Sequence, residues 1–147
     1  MKLFYKLNND YNKNVVVKHL DNSFDSGDTY FDFQVALTLN RSFILNFDLY
    51  LKKCVSCEGY LITDKKTIHE NIIIEKYDNG ELLIELKDFE KEVPMLDYSL
   101  NNKMRYDFNK SRICIGDIND NEIIRFGIGQ YASFQNEKLI GIIVDLK

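Results

Sequence analysis

The sequence predicts a mainly β fold, or a β-rich α+β one: an antiparallel meander forming a sandwich or partly open barrel, with at most one or two short helices. Three observations predict it. Ile, Val, Phe, Tyr and Thr are plentiful, and such side chains suit a pleated, half-buried surface. Ala, the best helix former, occurs only at Ala36 and Ala132. Apolar residues fall at period two in runs divided by turn signals about every 8–12 residues.

Element by element, Lys2 to Leu7 reads as a strand, Asn8 to Asn14 as its turn and Val15 to Leu20 as a second strand. Asp21 to Asp28 (DNSFDSGD) is the longest loop signal. Thr29 to Leu39 alternates at Phe31, Phe33, Val35, Leu37 and Leu39. Asn40-Arg41 then turns the chain into a run whose apolar face is Phe43, Leu45, Phe47, Leu49 and Leu51. Val55 to Ile62 is a further strand. Ile72 to Ile74, Asp78-Asn79-Gly80 and Leu82 to Leu86 read as a hairpin, because Asp and Asn before Gly tolerate positive φ. The competing reading is a helix over Asp64 to Tyr77, with Ile68 and Ile72 one turn apart. Lys87 to Asn102 holds a short helix before Pro94, which cannot continue one. Met104 to Phe108 and Arg112 to Ile115 are short strands. Gly116 to Glu122 is an acidic turn. Ile123 to Phe126, Gln130 to Phe134 and Leu139 to Leu146 complete the set, with a turn at Asn136-Glu137.

At 147 residues with no Pro-, Gly- or Ser-rich stretch, the chain is expected to form a single globular domain, 1–147. It is long enough to bury a core without disulfide or metal staples. Lys6 and Asn8 interrupt the opening apolar residues too early for a signal-peptide core, and no apolar run approaches the ~18 residues of a membrane span. With three cysteines, an odd number, the expectation is a cytoplasmic protein with free thiols and no membrane contact. The net charge of −4 repels phosphate backbones, so no direct nucleic-acid partner is expected.

Each chemical motif has a plainer structural reading. Cys54-Val-Ser-Cys57 has zinc or redox spacing, but Cys114, His19 and His69 supply no second close pair. In a strand its two thiols are expected on opposite faces. His19 and His69 are the only imidazoles; the testable catalytic version sets His69 beside Glu70 or Lys66. Asp21, Ser23, Asp25 and Asp32 fit a calcium-loop frame, but Ser26 stands where glycine is required. Gly127-Ile-Gly129 lacks the third glycine and the lysine of a phosphate loop and reads as a bulge or tight bend. Lys103, Arg105, Lys110 and Arg112 with Tyr106 and Phe108 read as a charged strand edge. No catalytic residue, metal site or cofactor is assigned.

The acidic segments carry the functional expectation. Residues 21 to 32 hold four acids and no base, beside Phe24, Tyr30 and Phe31. Residues 81 to 97 hold six acids against Lys87 and Lys91. Aromatics beside charges of one sign make an anchored, steered interface for a basic protein. The candidate partner-binding residues are Asp21, Asp25, Asp28, Tyr30 and Asp32, then Glu90, Glu92 and Asp97.

In size, acidity and Asn/Ile/Lys-rich strand composition, and in its closing hairpin from Gln130 to Leu146, the chain resembles small bacterial immunity proteins of contact-dependent inhibition and other polymorphic toxin systems. The resemblance implies a non-enzymatic cytosolic binder, monomeric in isolation, that neutralises a cognate basic toxin, often a nuclease. No binding residue carries over by motif. The alternatives are a small β-barrel enzyme or ligand-binding protein using His69 or His19, and a phage or structural assembly protein using an open strand edge.

Overall fold

The computed structural model describes residues 1–9, 17–20, 23–26, 34–40, 43–60, 68–93, 95–101 and 103–146. Its strands are β1 (Lys2–Leu7), β2 (Val17–Leu20), β3 (Ser23–Ser26), β4 (Gln34–Leu39), β5 (Phe43–Asp48), β6 (Lys53–Tyr60), β7 (Ile68–His69), β8 (Asp78–Glu85), β9 (Met95–Tyr98), β10 (Met104–Asp107), β11 (Arg112–Gly116), β12 (Ile123–Gly127), β13 (Gln130–Gln135) and β14 (Lys138–Asp145). One 3-10 helix, Asp88–Glu92, precedes β9. No helix among the described residues is long and apolar enough to cross a membrane.

The fold is mainly β, as expected. The strands join into one mixed sheet in the order β7-β10-β11-β14-β13-β12-β8-β6-β5-β4-β9, and the sheet does not close on itself. The expected antiparallel meanders are β4-β5-β6 and β12-β13-β14. Three parallel pairings supplement them: β7 with β10, β8 with β12 and β9 with β4. β1 pairs along β8, and β3 joins β2 to β6.

The two halves of the sheet face each other across one core. Leu37, Leu45, Phe43, Phe47 and Ile84 come from one half, Phe134, Leu139, Ile142 and Val144 from the other. The Tyr5 and Phe134 rings meet across it at 4.8 Å, and the Tyr98 hydroxyl donates to the Leu139 carbonyl at 3.0 Å. The period-two reading of Phe43, Leu45 and Phe47 is met, since all three are fully buried. The alternation does not continue to Leu51: Leu49 is half-buried and Leu51 lies in an exposed turn. Asparagine serves turns as expected, with Asn40 and Asn136 at left-handed φ of 50° and 51°.

A second, smaller core lies on the outer face of the β10–β12 half. Ile72 packs there with Cys114, Ile123, Tyr131 and Ile143. It is carried by residues 70–77, a strap that leaves the β10 edge and crosses to β8 beside β12. This corrects two readings of the sequence. Residues 72–74 are not a hairpin strand, and 70–77 are not helical. The strap joins β7 to β8, six places apart in the strand order, a path of up to about 29 Å along the sheet. The nine Cα steps from His69 to Asp78 cover only about 14 Å as a helix but about 30 Å extended. Asp78-Asn79-Gly80 is accordingly not a turn but the start of β8. Gly80 is there for clearance: a Cβ would sit 2.6 Å from the Lys6 carbonyl oxygen and 2.9 Å from Ile124 Cγ2.

Two further corrections concern β3 and β6. Within the expected loop of residues 21–28, Ser23–Ser26 form a strand, because Phe24 is buried edge-on against Phe43 at 5.0 Å. In β6 a bulge at Val55 shifts the register, so that Cys54 faces Phe47 and Cys57 faces Leu45. Both thiols therefore point into the main core rather than to opposite faces. Residues 61–67, which include Lys66 and the first part of the helical alternative, lie outside the described residues.

Candidate functional site

Half of the exposed large hydrophobics among the described residues lie at or near one end of the β4–β6 meander. The turn after β5 is set by Asp48, whose Oδ1 accepts from the Tyr50 and Leu51 N–H groups at 2.8 and 2.9 Å. Lys52 closes it, donating its N–H to the Asp48 carbonyl at 2.7 Å with φ at 58°. An Asx turn of this kind leaves its middle residues outside the sheet. Tyr50 is 89% exposed and Leu51 54%.

Facing that turn is the 3-10 segment. Glu90 organises it: one carboxylate oxygen accepts from the Lys87 N–H at 2.9 Å and pairs with the N-terminal ammonium at 2.8 Å. The ammonium, then the Lys87 N–H, hold this carboxyl below the usual range. With Glu90 turned inward, its neighbours turn outward. Phe89 is 67% exposed, Met95 52% and Val93 39%. Between the two segments lies a cleft of about 370 Å³ lined by Leu49, Lys52, Ile84, Glu85, Leu86 and Lys91. Five large apolar side chains thus stand in solvent on or next to the two segments that give this cleft Leu49, Lys52 and Lys91; none of the five lines it, and its own lining is an apolar floor and a charged rim. Such patches mark contact surfaces for other macromolecules.

The residues predicted from sequence divide around this cleft. Glu90 is committed to the N-terminus. Glu92 is exposed at the end of the 3-10 helix. Asp97 is exposed on β9 and accepts from the Thr38 hydroxyl. The rest of the acidic run is largely paired, Glu81 with Lys53 at 3.7 Å and Asp88 with Lys91 at 3.4 Å. Asp25 lies in β3, its backbone opposite Lys18 and Glu58. Asp21, Asp28, Tyr30 and Asp32 lie outside the described residues. Sequence reasoning missed Tyr50, Leu51, Phe89, Lys52 and Lys91. The available signal was Asp48: an Asx residue that breaks an alternating run exposes whatever apolar residues follow it.

The other candidates lie elsewhere on the sheet. His69 is exposed at the far end of the sheet, its ring 4.9 Å from Phe108 and Nδ1 3.1 Å from the Tyr106 carbonyl. His19 is in β2, opposite Phe24. Of the basic cluster, Arg105 pairs with Glu70 at 3.4 Å, Lys110 with Asp107 at 3.4 Å and Arg112 with Asp145 at 2.5 Å. Burial pushes the Cys54 thiol up to about 12 and the Cys114 thiol to about 11. The 117–122 loop ties itself to β13, the Asn119 N–H donating to Ser133 Oγ at 2.7 Å. Among the described residues, no three His, Cys, Asp or Glu side chains converge as a metal site.

In comparison with known proteins, no family model and no curated protein matches this chain.

Proposed function

We propose that this chain is a non-enzymatic binding protein of the toxin-immunity type, which docks a cognate protein through the surface around the cleft. The observation that supports the reading is the exposure of Tyr50 and Leu51 in the turn after β5 and of Phe89, Val93 and Met95 along the 3-10 segment and the start of β9, next to that cleft. Aromatic anchors beside a pocket are where binding energy concentrates in protein interfaces. The net charge of −4 favours a basic partner and speeds its approach.

The test uses the gene immediately upstream. Where that gene encodes a large secreted protein, its C-terminal domain is produced in cells with or without this chain. The expected result is restored growth and a co-purifying complex. The double variant Tyr50→Ser, Phe89→Ser should weaken the complex by about a hundredfold while leaving thermal stability intact. Absence of rescue, or an unchanged affinity in the double variant, counts against the reading.

A further inference from the structure

Four strand edges among the described residues can be compared, and three are protected by a covering segment or by lysine. The edge of β10 is covered by β7 and the strap, with the Glu70 N–H donating to the Tyr106 carbonyl at 3.3 Å. β2, which ends the β6-β3-β2 branch, carries a lysine, Lys18, among its four residues. The outer edge of β1 carries exposed Lys2 and Lys6, and lysines on an edge discourage a further strand. The edge of β9 carries no lysine and, among the described residues, no covering segment; its guards are its four-residue length, the proline before it and the negative charge of Asp97. β9 pairs with β4 on one side, in the register Ala36↔Met95 to Leu39↔Tyr98, and ends the strand order on the other. Its inward residues, Leu96 and Tyr98, pack against the core. Its outward residues are an exposed methionine and an exposed aspartate, Met95 and Asp97.

We propose that β9 accepts an extended strand from a basic partner protein. The claim rests on the binding role above and specifies its mode. In a strand edge, backbone donors and acceptors of alternate residues point away from the existing partner and supply affinity to an added strand, while outward side chains supply specificity. Residues 92–98 carry two carboxylates, Glu92 and Asp97, and no cation. An incoming strand therefore fits when it sets a lysine or arginine beside Asp97 and apolar side chains along Val93 and Met95. A second copy of this chain would bring the same two carboxylates and no countercharge, so charge selects a basic partner over self-pairing.

The experiment titrates the full chain with three labelled peptides of about ten residues. One alternates Lys and Val, one alternates Glu and Val, and one is the Lys/Val peptide with alternate backbone nitrogens methylated. The Lys/Val peptide should bind and slow amide exchange at residues 95–98. The Glu/Val and N-methylated peptides should bind at least about tenfold more weakly. Asp97→Lys should weaken the Lys/Val peptide by about tenfold. Asp97→Asn, which keeps a side chain able to meet Thr38, should weaken it less and serves if the lysine variant does not fold. Equal binding of the methylated peptide, no binding at all, or indifference to both Asp97 variants overturns strand addition. Concentration-dependent dimers that protect residues 95–98 would overturn it in favour of a second copy. The two claims fail separately. A toxin complex lost on Tyr50→Ser, Phe89→Ser but indifferent to Asp97 leaves the binding role standing and removes this mode.

Discussion

The buried carboxylate of Asp107 accepts a hydrogen bond from the backbone N–H of Ile72 at 2.9 Å, across 35 positions of sequence. Its other oxygen takes the N–H groups of Asn109 and Lys110 at 3.0 and 3.1 Å. One side chain therefore both shapes the β10–β11 turn and pins the strap to the sheet. Arg112 supplies the second pin, donating to the Ile72 carbonyl at 2.9 Å while held by Asp145. The Ile72 backbone, which no strand pairs, is satisfied by two side chains instead.

The Ile72 N–H, foremost among these donors, holds the Asp107 carboxyl down to about 2. An unfolded aspartate titrates near ~3.9. The folded value lies below the unfolded one, so the stabilisation is complete above the unfolded value and is lost as pH falls through about 2. Thermal unfolding should show Asp107→Asn less stable than the parent near neutral pH. The gap should narrow on acidification below about pH 4. A gap constant across that range would mean that the charge contributes nothing.

Tyr5 makes the opposite prediction at high pH. Its hydroxyl donates to Glu122 at 2.6 Å, and that bond, with burial, pushes the phenol up to about 12. The folded value lies above the unfolded one, so the contribution is full below about 10 and lost as pH rises through about 12. Burial also raises the Tyr98 and Tyr131 phenols, so ultraviolet titration should show several late-ionising tyrosines, and Tyr5→Phe should remove one of them. If the variant leaves the alkaline end of the curve unchanged, the Tyr5–Glu122 bond is not formed in solution.

The raised values of Cys54 and Cys114 predict inert thiols, because the thiolate is the reactive species. An aromatic disulfide reagent at neutral pH should titrate neither until denaturant is added. Rapid labelling of the native protein would show that this part of the core opens freely.

Gly116 has a φ of +86°, and a Cβ there would collide with the Ile140 carbonyl oxygen, the acceptor of the Asp117 N–H at 2.9 Å. Gly116→Ala should destabilise by about 1–3 kcal/mol in denaturant titrations. Asn136→Gly, in an exposed turn at φ 51°, should be neutral or slightly stabilising. Equal effects of the two would mean that the backbone at Gly116 relaxes.

Sequence legibility followed locality. Phe43, Leu45 and Phe47 announced β5 because alternation is a property of neighbours. The closing meander was equally legible, since its turns are carried by Asn136-Glu137 and Ile128-Gly129 within the run. The strap was not. Ile72, Ile73 and Ile74 have the composition of a strand, but Ile72 enters a second core whose other walls come from β11 to β14. Asp78-Asn79-Gly80 has the chemistry of a turn, yet Lys6 and Ile124 close around Gly80. The candidate site was half legible: the acids of residues 88–97 drew attention to the correct segment, but the N-terminus took Glu90 and thereby turned Phe89 outward.

The sequence by itself determined a mainly β chain, most of its strands and the residues that fill their inward faces. Those depend on side-chain period and turn chemistry, which act over a few residues. Tertiary structure alone decided that the strands form one open mixed sheet, that Val55 bulges and turns both thiols inward, and that β9 ends the strand order. Each of these depends on which distant backbone lies alongside, and no short stretch of sequence encodes that.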